Sequence, residues 1–560
     1  MSPTLSVDLP SACVRLWTSD PSQLARDSGR EVAFFLYGYL YETGGDDQAA
    51  WCLQQYLQHG LDFVSSLNGA FVIIVVDARE DRALVITDHF NHHRAFHSET
   101  HGAHWISNCL HTHPLQNAEL DLTALAWVLV NKSCYNFRTL FAGVRFLERA
   151  SIYTFADGRL QHRRYWQFRF QPPSGKLDAK KLKGELAELL IDSVRRRLPR
   201  NGPPFLSLSG GYDASSILGI MKYQLHVPEA ICFTYINRPK PAPGSDGEVA
   251  GKMAERAGYR HLLLQGYGGD LMPWLDDNGS IGNGVANVSG QFDAFVSLTP
   301  WFERYPHSAV FLGDHCFFLK PYNVRTRGDA LHLVYLFELS SAPHLRHLFD
   351  DSTYSLMEEG LRADRQALLD RFPDVSDKYD LKDLLYQDER MSNYILSQKE
   401  YLIEEFAPVA NPYLDRSILD FQSRLPNTKA FANELYRSTL LELAPEIFAI
   451  PRATVGEFNV DWGKEFRVHR DAIEELLFER NSILDELVPP EKIMALIDGS
   501  DDPPAIKSAG QRAADVSARL FRKLTGRLPY MPVIPTSRAL TIRRLLCVRS
   551  FLNKTIDRQR

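Results

Sequence analysis

The sequence predicts two architectures in one chain: an N-terminal β-rich α+β domain, then an α/β domain built on a parallel sheet and extended by helices. Three observations lead there. Runs of β-branched and aromatic residues broken by turn formers fill the first part of the chain. A Pro172-Pro173-Ser174-Gly175 stretch then interrupts the pattern, because proline and glycine extend neither a ladder nor a helix easily. After it, short apolar segments alternate with segments of helical period, as in a sheet covered on both faces. A chain of 560 residues is also too long for a single core.

In the first part, strands are expected at Val32–Leu40, Ala70–Val76 and Ala83–Thr87, separated by Gly44-Gly45, Asn68-Gly69 and the Asp77–Asp81 turn. Leu122–Val130 has the composition of a helix, with Asp121 placed to cap it. Beyond the break, Leu177–Leu198 carries Leu182, Leu186, Leu189, Leu190 and Val194 at helical spacing. A strand at Phe205–Leu208, a glycine turn and a helix at Ala214–Tyr223 follow. Ile231–Tyr235 and His261–Leu264 read as further strands, with a helix at Glu248–Ala257 between them. From about residue 330 the pattern is mainly helical, without an internal repeat. The domains expected are therefore 1–171, 176–511 and a basic helical tail over 512–560.

The bulk properties exclude several classes. Hydrophobic residues make up 44% and charged residues 24%, ordinary for a globular protein, and a net charge of −6 gives no footprint for nucleic acid. The seven cysteines (Cys13, Cys52, Cys109, Cys134, Cys232, Cys316 and Cys547) include no C-x-x-C pair, so buried thiols in a reducing compartment are expected rather than zinc or disulfides. Met-Ser-Pro-Thr-Leu at the start has no secretory pattern, and the longest apolar runs, such as Phe71–Val76, are strand-length. The expectation is a cytoplasmic protein without a membrane span.

The segment that carries chemistry is Leu206-Ser207-Leu208-Ser209-Gly210-Gly211-Tyr212-Asp213-Ala214-Ser215-Ser216, where a strand ends and a helix begins. Two glycines allow a sharp turn and close approach to an anion, which the first N–H groups of the helix then face. Ser209, Ser215 and Ser216 offer hydroxyl donors, and Asp213 offers a carboxylate for magnesium. No lysine follows the glycines, so this is not the G-x-x-x-x-G-K-[ST] loop.

That segment resembles the S-G-G-x-D-S pyrophosphate loop of the ATP pyrophosphatase superfamily, with Ala214 in the usual serine position. Further stretches make the resemblance more specific. Leu67-Asn68-Gly69-Ala70-Phe71, Asp77 and Asp88-His89-Phe90 are similar to the L-N-G-x-F-A…D…D-R pattern of glutamine amidotransferase-like domains, with His89 in the arginine position. Thr139–Val144 and Arg164-Tyr165-Trp166 resemble the end of that domain in asparagine synthetase relatives. Gly313-Asp314-His315-Cys316-Phe317-Phe318 resembles a G-D-E-L-F segment, and Asn411–Arg416 with Leu425-Pro426 resembles a P-F-L-D…L-P segment. The order and spacing agree over roughly residues 30 to 460, so the chain looks like a member of the asparagine synthetase-like superfamily.

The resemblance implies an amidotransferase-like β-sandwich domain followed by a parallel-sheet ATP-pyrophosphatase domain with a helical extension. It implies ATP and Mg2+, with Ser209, Gly210, Gly211, Tyr212, Asp213, Ser215, Ser216 and Gly313 around the phosphates, and Asp213 and Asp314 as magnesium ligands. Asp314 also reads as a simple turn aspartate. Phe233-Thr234-Tyr235 stands where the superfamily cradles adenine, and equally where a buried strand would run; Phe233 and Tyr235 are the candidates. Ser245, Asp246 and Glu248 read as helix caps. Arg452 is the cation nearest the position of the superfamily's lysine; it reads either as a charge stabiliser or as a surface arginine, with Lys464 a weaker substitute.

Glutamine-hydrolysing relatives need cysteine as the first residue of the mature chain, where amine and thiol act together. Met1 is followed by Ser2, and the first cysteine is Cys13, so no glutaminase is expected. The amine would then come from elsewhere. Lasso peptide macrolactam synthetases and β-lactam synthetases take it from the substrate itself, which replaces an encounter by an intramolecular attack. The expected substrates are a peptide closed to a macrolactam first, a small amino-acid-like carboxylate second, and ammonia-dependent amidation third. A peptide substrate brings a partner protease or leader-binding protein as expected partners. The rival is a binding scaffold on a decayed synthetase fold. Residues 512–560 carry Arg519, Arg522, Lys523, Arg527, Arg538, Arg543, Arg544 and Arg549 interleaved with apolar residues. They read either as a helix packed on the synthetase domain or as a docking helix for an acidic peptide, a partner or a membrane surface.

Overall fold

The computed structural model describes residues 5–18, 23–27, 29, 31–42, 47–115, 119–175, 177–284, 292–314, 324–334, 339–397, 402–404, 406–426, 429–455, 460–499, 517 and 536–557. The chain divides into two compact units: Met1–Pro114 with Gly143–Arg169, and Leu115–Ala142 with Phe170–Arg560. Among the described residues, no helix is long and apolar enough to cross a membrane.

The first unit is antiparallel throughout. Its strands are β1 (Leu5–Asp8), β2 (Cys13–Leu16), β3 (Leu24–Asp27), β4 (Val32–Leu40), β5 (Gly69–Asp77), β6 (Arg82–Thr87), β7 (Phe96–Thr100), β8 (Ala103–Ser107), β9 (Val144–Phe146), β10 (Ser151–Ala156) and β11 (Arg159–Arg164). β1 and β2 pair alone; the others form a six-stranded sheet in the order β11-β10-β6-β5-β4-β3 and a three-stranded sheet, β8-β7-β9. β4 and β5 pair from Val32↔Asp77 to Leu40↔Gly69, and the period of two divides their side chains. Phe34, Leu36, Phe71, Ile73 and Val75 cluster with Ala49, Cys52, Leu53 and Tyr56 of helix α1 (Gln48–His59). Val72 and Ile74 point the other way, into a cluster with Ala95, Ile106 and Leu147. A helix on one face and a second sheet on the other make this the expected sandwich-like α+β arrangement.

Helix α2 (Leu122–Asn131) forms where expected, and Asp121 caps it by accepting from the Ala124 N–H at 2.9 Å. It belongs to the second unit, although sequence order places it within 1–171. Every residue from Thr123 to Asn131 is buried, so this helix has no polar face to leave in water. Trp127 Nε1 donates to Asp364 at 2.8 Å, and Arg138 Nε donates to the same carboxylate at 2.8 Å.

The second unit holds a parallel sheet in the order β14-β13-β12-β15-β16, with strands β12 (Phe205–Ser207), β13 (Ile231–Ile236), β14 (Arg260–Gln265), β15 (Val310–Phe311) and β16 (Val409–Ala410). β12, β13 and β14 are the three expected strands; β15 and β16 are two residues each, too short to show a period in sequence. Helices α3 (Ala179–Arg197), α4 (Tyr212–Gly219) and α5 (Asp246–Ala257) cover one face, where Leu190, Ile217 and Met253 share a cluster with Leu206 and Phe311. Phe205, Phe233 and Val310 pack on the other face with Phe295, Leu298 and Phe302. After β12 the chain builds outward on one side and later returns to the other as β15. The loops after β12 and β15 therefore emerge side by side at the reversal of strand order, the crevice where such sheets bind ligands.

Helix α6 (Leu271–Ile281) packs against a helix spanning Arg538–Asp557, with Gly279 so close that a Cβ would lie 2.7 Å from the Cys547 carbonyl oxygen. That second helix is the described part of the basic C-terminal stretch, and it is buried from Thr541 to Asn553.

Candidate functional site

Leu206 and Leu208 anchor the end of β12 in the core, and Gly210-Gly211 turn the chain into α4. A Cβ on Gly210 would lie 2.5 Å from the Ala453 Cβ and 3.0 Å from its nitrogen, so the 451–455 segment can pass only over a glycine. The Gly210 N–H donates to Asp246 Oδ1 at 2.8 Å, which ties the loop to the first turn of α5. Ser209 Oγ accepts from the Gly211 N–H at 3.3 Å. Gly211 is the N-cap of α4, and no side chain caps the helix. Its opening turn thus keeps N–H groups that a bound anion would satisfy.

Asp213 lies in that turn. Its Oδ1 accepts from the Tyr436 hydroxyl at 2.5 Å, and its carbonyl accepts from Tyr413 at 3.2 Å. Burial first, then the Asp213 carboxylate, pushes the Tyr436 phenol well above its usual range, so it stays a donor. Gly313 lies just after β15, where a Cβ would lie 2.7 Å from the Ala214 nitrogen and 3.1 Å from the Asp213 Cβ. The chain thus presses Gly313 against Asp213 and brings Asp314 beside it. Asp314 Oδ2 is buried and has no hydrogen-bond partner. His315, Cys316, Phe317 and Phe318 lie outside the described residues.

Two cations flank Tyr212. The Arg452 guanidinium lies over its ring, and Arg437 Nη2 donates to its hydroxyl at 2.6 Å. Arg452 Nη2 is buried without an acceptor, and burial lowers the pKa of this guanidinium. Arg452 is therefore half-buried at the loop rather than free on the surface. Lys464 is exposed, its N–H capped by Asp461 at 3.1 Å.

The serines after Asp213 are placed differently from Ser209. Ser215 Oγ donates to the Gly211 carbonyl at 2.6 Å, and Ser216 Oγ donates to the Asp213 carbonyl at 2.8 Å; both side chains are buried. A phosphate contact from either hydroxyl would require exchanging those bonds. Phe233 is fully buried and its carbonyl accepts from the Leu208 N–H at 2.9 Å, while the half-buried Tyr235 hydroxyl pairs with Ser207 Oγ at 3.0 Å. Ser245 caps α5, accepting from Glu248 at 3.4 Å, whereas Asp246 holds Gly210. Tyr436, Arg437, Ala453 and Asp246 thus join the site without a sequence signal of their own, except that Asp246 opens a predicted helix.

In the first unit the motif residues act as pins. Asp88 is buried and accepts from the Phe71 N–H at 3.1 Å and the Phe90 N–H at 2.8 Å, tying the end of β6 to β5. Asp77 accepts from Tyr56 at 2.8 Å, and His89 stands edge-on to Trp166 with centroids 4.9 Å apart. A cavity of about 190 Å³ opens elsewhere in this unit, lined by Phe35, Tyr37, Ile74, Arg94 and Asn108 among others.

Comparison with known families matches this geometry: the glutamine amidotransferase domain family over residues 38–166 and the asparagine synthase family over residues 185–279. Both matched segments are those of asparagine synthetase-like proteins. The asparagine synthase match of this synthetase-like chain includes the β12–α4 loop and Asp246 and stops before Gly313, Asp314 and Arg452. A relative, asparagine synthetase [glutamine-hydrolyzing] 3 of Bacillus subtilis (strain 168), is 25% identical over 283 residues, 48% of this chain and 44% of its own length. The chain thus spans under half the length of that curated relative. Among solved structures, glutamine phosphoribosylpyrophosphate amidotransferase from B. subtilis complexed with ADP and GMP aligns at 11% identity over 45% of this chain and 50% of its own, with a TM-score of 0.18. An allosteric regulatory enzyme of purine biosynthesis aligns at 12% identity over 43% and 46%, also with a TM-score of 0.18. The fold described above rests on the strand topology and not on those superpositions.

Proposed function

We propose that this chain is an ATP-dependent carbon–nitrogen ligase, in which a substrate carboxylate attacks the α-phosphate of ATP and an amine then attacks the acyl-adenylate. The first step forms the acyl–phosphate bond and releases pyrophosphate; the second forms the amide and releases AMP. The observation that carries the reading is Gly313 pressed against Asp213 at the uncapped start of α4, which places Asp314 beside it with a buried, unpartnered oxygen.

The donor set fits magnesium with a triphosphate. Among the described residues, no group of three His, Cys, Asp or Glu side chains gathers to hold a metal alone. Asp213 and Asp314 would supply two carboxylates, and phosphate oxygens and water the rest of the octahedron. Magnesium there, when bound, neutralises charge as pyrophosphate leaves. Ser209 and the N–H groups of Tyr212 and Asp213 would hold phosphate oxygens, with Ser215 and Ser216 shaping the turn beneath. Arg452 would place its unpartnered Nη2 on charge developing at the loop. The adenine would lie toward the end of β13, near Tyr235.

For the substrate, intramolecular closure of a peptide to a macrolactam, as in lasso peptides, comes first, with a protease or leader-binding protein as partner. β-Lactam closure and ammonia-dependent amidation follow. A cytoplasmic location suits each. One observation favours the scaffold reading: the Ser215 and Ser216 hydroxyls are taken up by main-chain carbonyls.

Pyrophosphate and AMP release from ATP-Mg, with candidate peptides and small carboxylates, tests the proposal. Asp314→Asn should lower release about 10³-fold while leaving the fold as stable as before, because it removes charge from a carboxylate whose buried Oδ2 has no partner. Release unchanged in Asp314→Asn, or absent from the folded wild-type chain with every substrate, would move the reading to the scaffold.

A further inference from the structure

The helix Arg538–Asp557 buries three arginines: Arg543, Arg544 and Arg549 are 4%, 0% and 0% exposed. Arg549 is paired with the Asp485 carboxylate and donates to the Leu477 carbonyl at 2.9 Å, leaving only its Nε without an acceptor. Arg544 is less well satisfied. Its Nη1 donates to the Leu129 carbonyl in α2, but Nε and Nη2 are buried without an acceptor. Those two nitrogens form one edge of the guanidinium, the edge that grips an oxyanion with two parallel hydrogen bonds.

The surroundings add cations. Lys132 closes α2 as its C-cap at φ 71°, and its Nζ lies 6.0 Å from the ring centroid of Tyr394. Burial lowers the Lys132 pKa, and Arg543 and Arg544 both lower it further. Burial, then Arg543, pushes Arg544 down to about 9, so it remains charged at neutral pH. Among the described residues no ion pair is recorded for Lys132 or Arg544, and the leading electrostatic influences on them come from Tyr394 and the neighbouring arginines. Lys132 and Tyr394 are half-buried, whereas Arg543 and Arg544 are buried. Tyr394 sits in a π-helical stretch, Tyr386–Leu396, a conformation frequent at functional sites. Three cations this close disfavour the fold unless something negative joins them. A single carboxylate would leave most of that charge uncompensated, whereas a phosphate carries up to two charges and matches the fork.

We propose that Lys132, Arg543 and Arg544 form a phosphate-binding site, separate from the β12–α4 loop, that takes inorganic phosphate or the phosphate group of a small metabolite side-on against the Nε–Nη2 edge of Arg544. The test is thermal unfolding of the full chain at matched ionic strength in inorganic phosphate, glycerol phosphate or acetate, for wild type, Lys132→Met and Arg544→Met. Phosphate raises the wild-type midpoint by about 3 °C at concentrations well above the dissociation constant, acetate does not, and both variants lose the shift. A shift with glycerol phosphate alone identifies a phosphorylated metabolite as the source and also supports the site. In phosphate-free buffer Arg544→Met is at least as stable as wild type, and the order reverses in phosphate. Should Arg544→Met not fold, Lys132→Met at the half-buried Lys132 position still reads the site. An equal shift in all three proteins, no shift in wild type, or the same loss for Arg544→Met with and without phosphate overturns the proposal.

Discussion

The Tyr436 hydroxyl donates to Oδ1 of Asp213 at 2.5 Å, across 223 residues of sequence. A buried phenol facing a carboxylate keeps its proton, so this bond holds the carboxylate in one orientation at the start of α4. Tyr436→Phe keeps the ring and removes only the donor. We expect a stability loss of about 2 kcal/mol in urea unfolding, the size of a hydrogen bond to a charged group. Pyrophosphate release should fall roughly tenfold through weaker use of magnesium-ATP. An unchanged release rate in a destabilised variant would reduce Tyr436 to a packing residue.

The approach of Ala453 to Gly210 makes a second prediction. Gly210→Ala puts a methyl group 2.5 Å from the Ala453 Cβ, a clash that the 451–455 segment must absorb. Overpacking of this kind costs about 1–3 kcal/mol. Ala453→Gly in the same chain should recover about half, since the contact with the Ala453 nitrogen at 3.0 Å remains. A double-mutant cycle in urea measures the coupling; strict additivity would mean the two positions do not touch in solution.

His261 underlies the loop and gives the fold a pH dependence. Thr234 Oγ1 donates its only proton to the Leu208 carbonyl at 2.6 Å, so it accepts from His261 Nε2 at 2.9 Å and the imidazole carries its proton there. Burial lowers the pKa from 6.5 to about 4. Above pH 6.5 both folded and unfolded chains hold neutral His261, and the group costs nothing. As pH falls from 6.5 to about 4 the unfolded chain protonates first, and stability drops by up to ~3 kcal/mol. Urea midpoints measured across that window should fall more steeply for wild type than for His261→Gln. Parallel curves would show that His261 does not titrate differently in the two states.

Much of the site was legible because it is local. Leu206 to Ser216 carries a buried strand end, a glycine pair and the start of a helix within one stretch, and each follows from its own residues: apolar side chains, missing Cβ atoms, an acidic first turn. The same holds for β4 and β5, whose alternation sends Phe34 and Val72 to opposite faces. What was not legible depends on distant partners. Nothing in the helix Lys429–Leu443 marks Tyr436 and Arg437 as site residues until tertiary packing sets them against Asp213 and Tyr212. Ser215 and Ser216 looked like phosphate donors in sequence, but helical geometry turns their hydroxyls onto carbonyls of the preceding turn.

The sequence by itself determined the order of strands and helices around the glycine loop, the resemblance to asparagine synthetase-like proteins, and the two aspartates worth watching, because period, turn chemistry and motif spacing are properties of neighbouring residues. Only the tertiary structure decided that Gly313 abuts Asp213, that α2 joins the second unit, and that the helix at 538–557 lies buried from Thr541 to Asn553 with Arg543, Arg544 and Arg549 inside. Those outcomes follow from the strand order of the parallel sheet and from which apolar surfaces must be covered, and packing over hundreds of residues settles both at once.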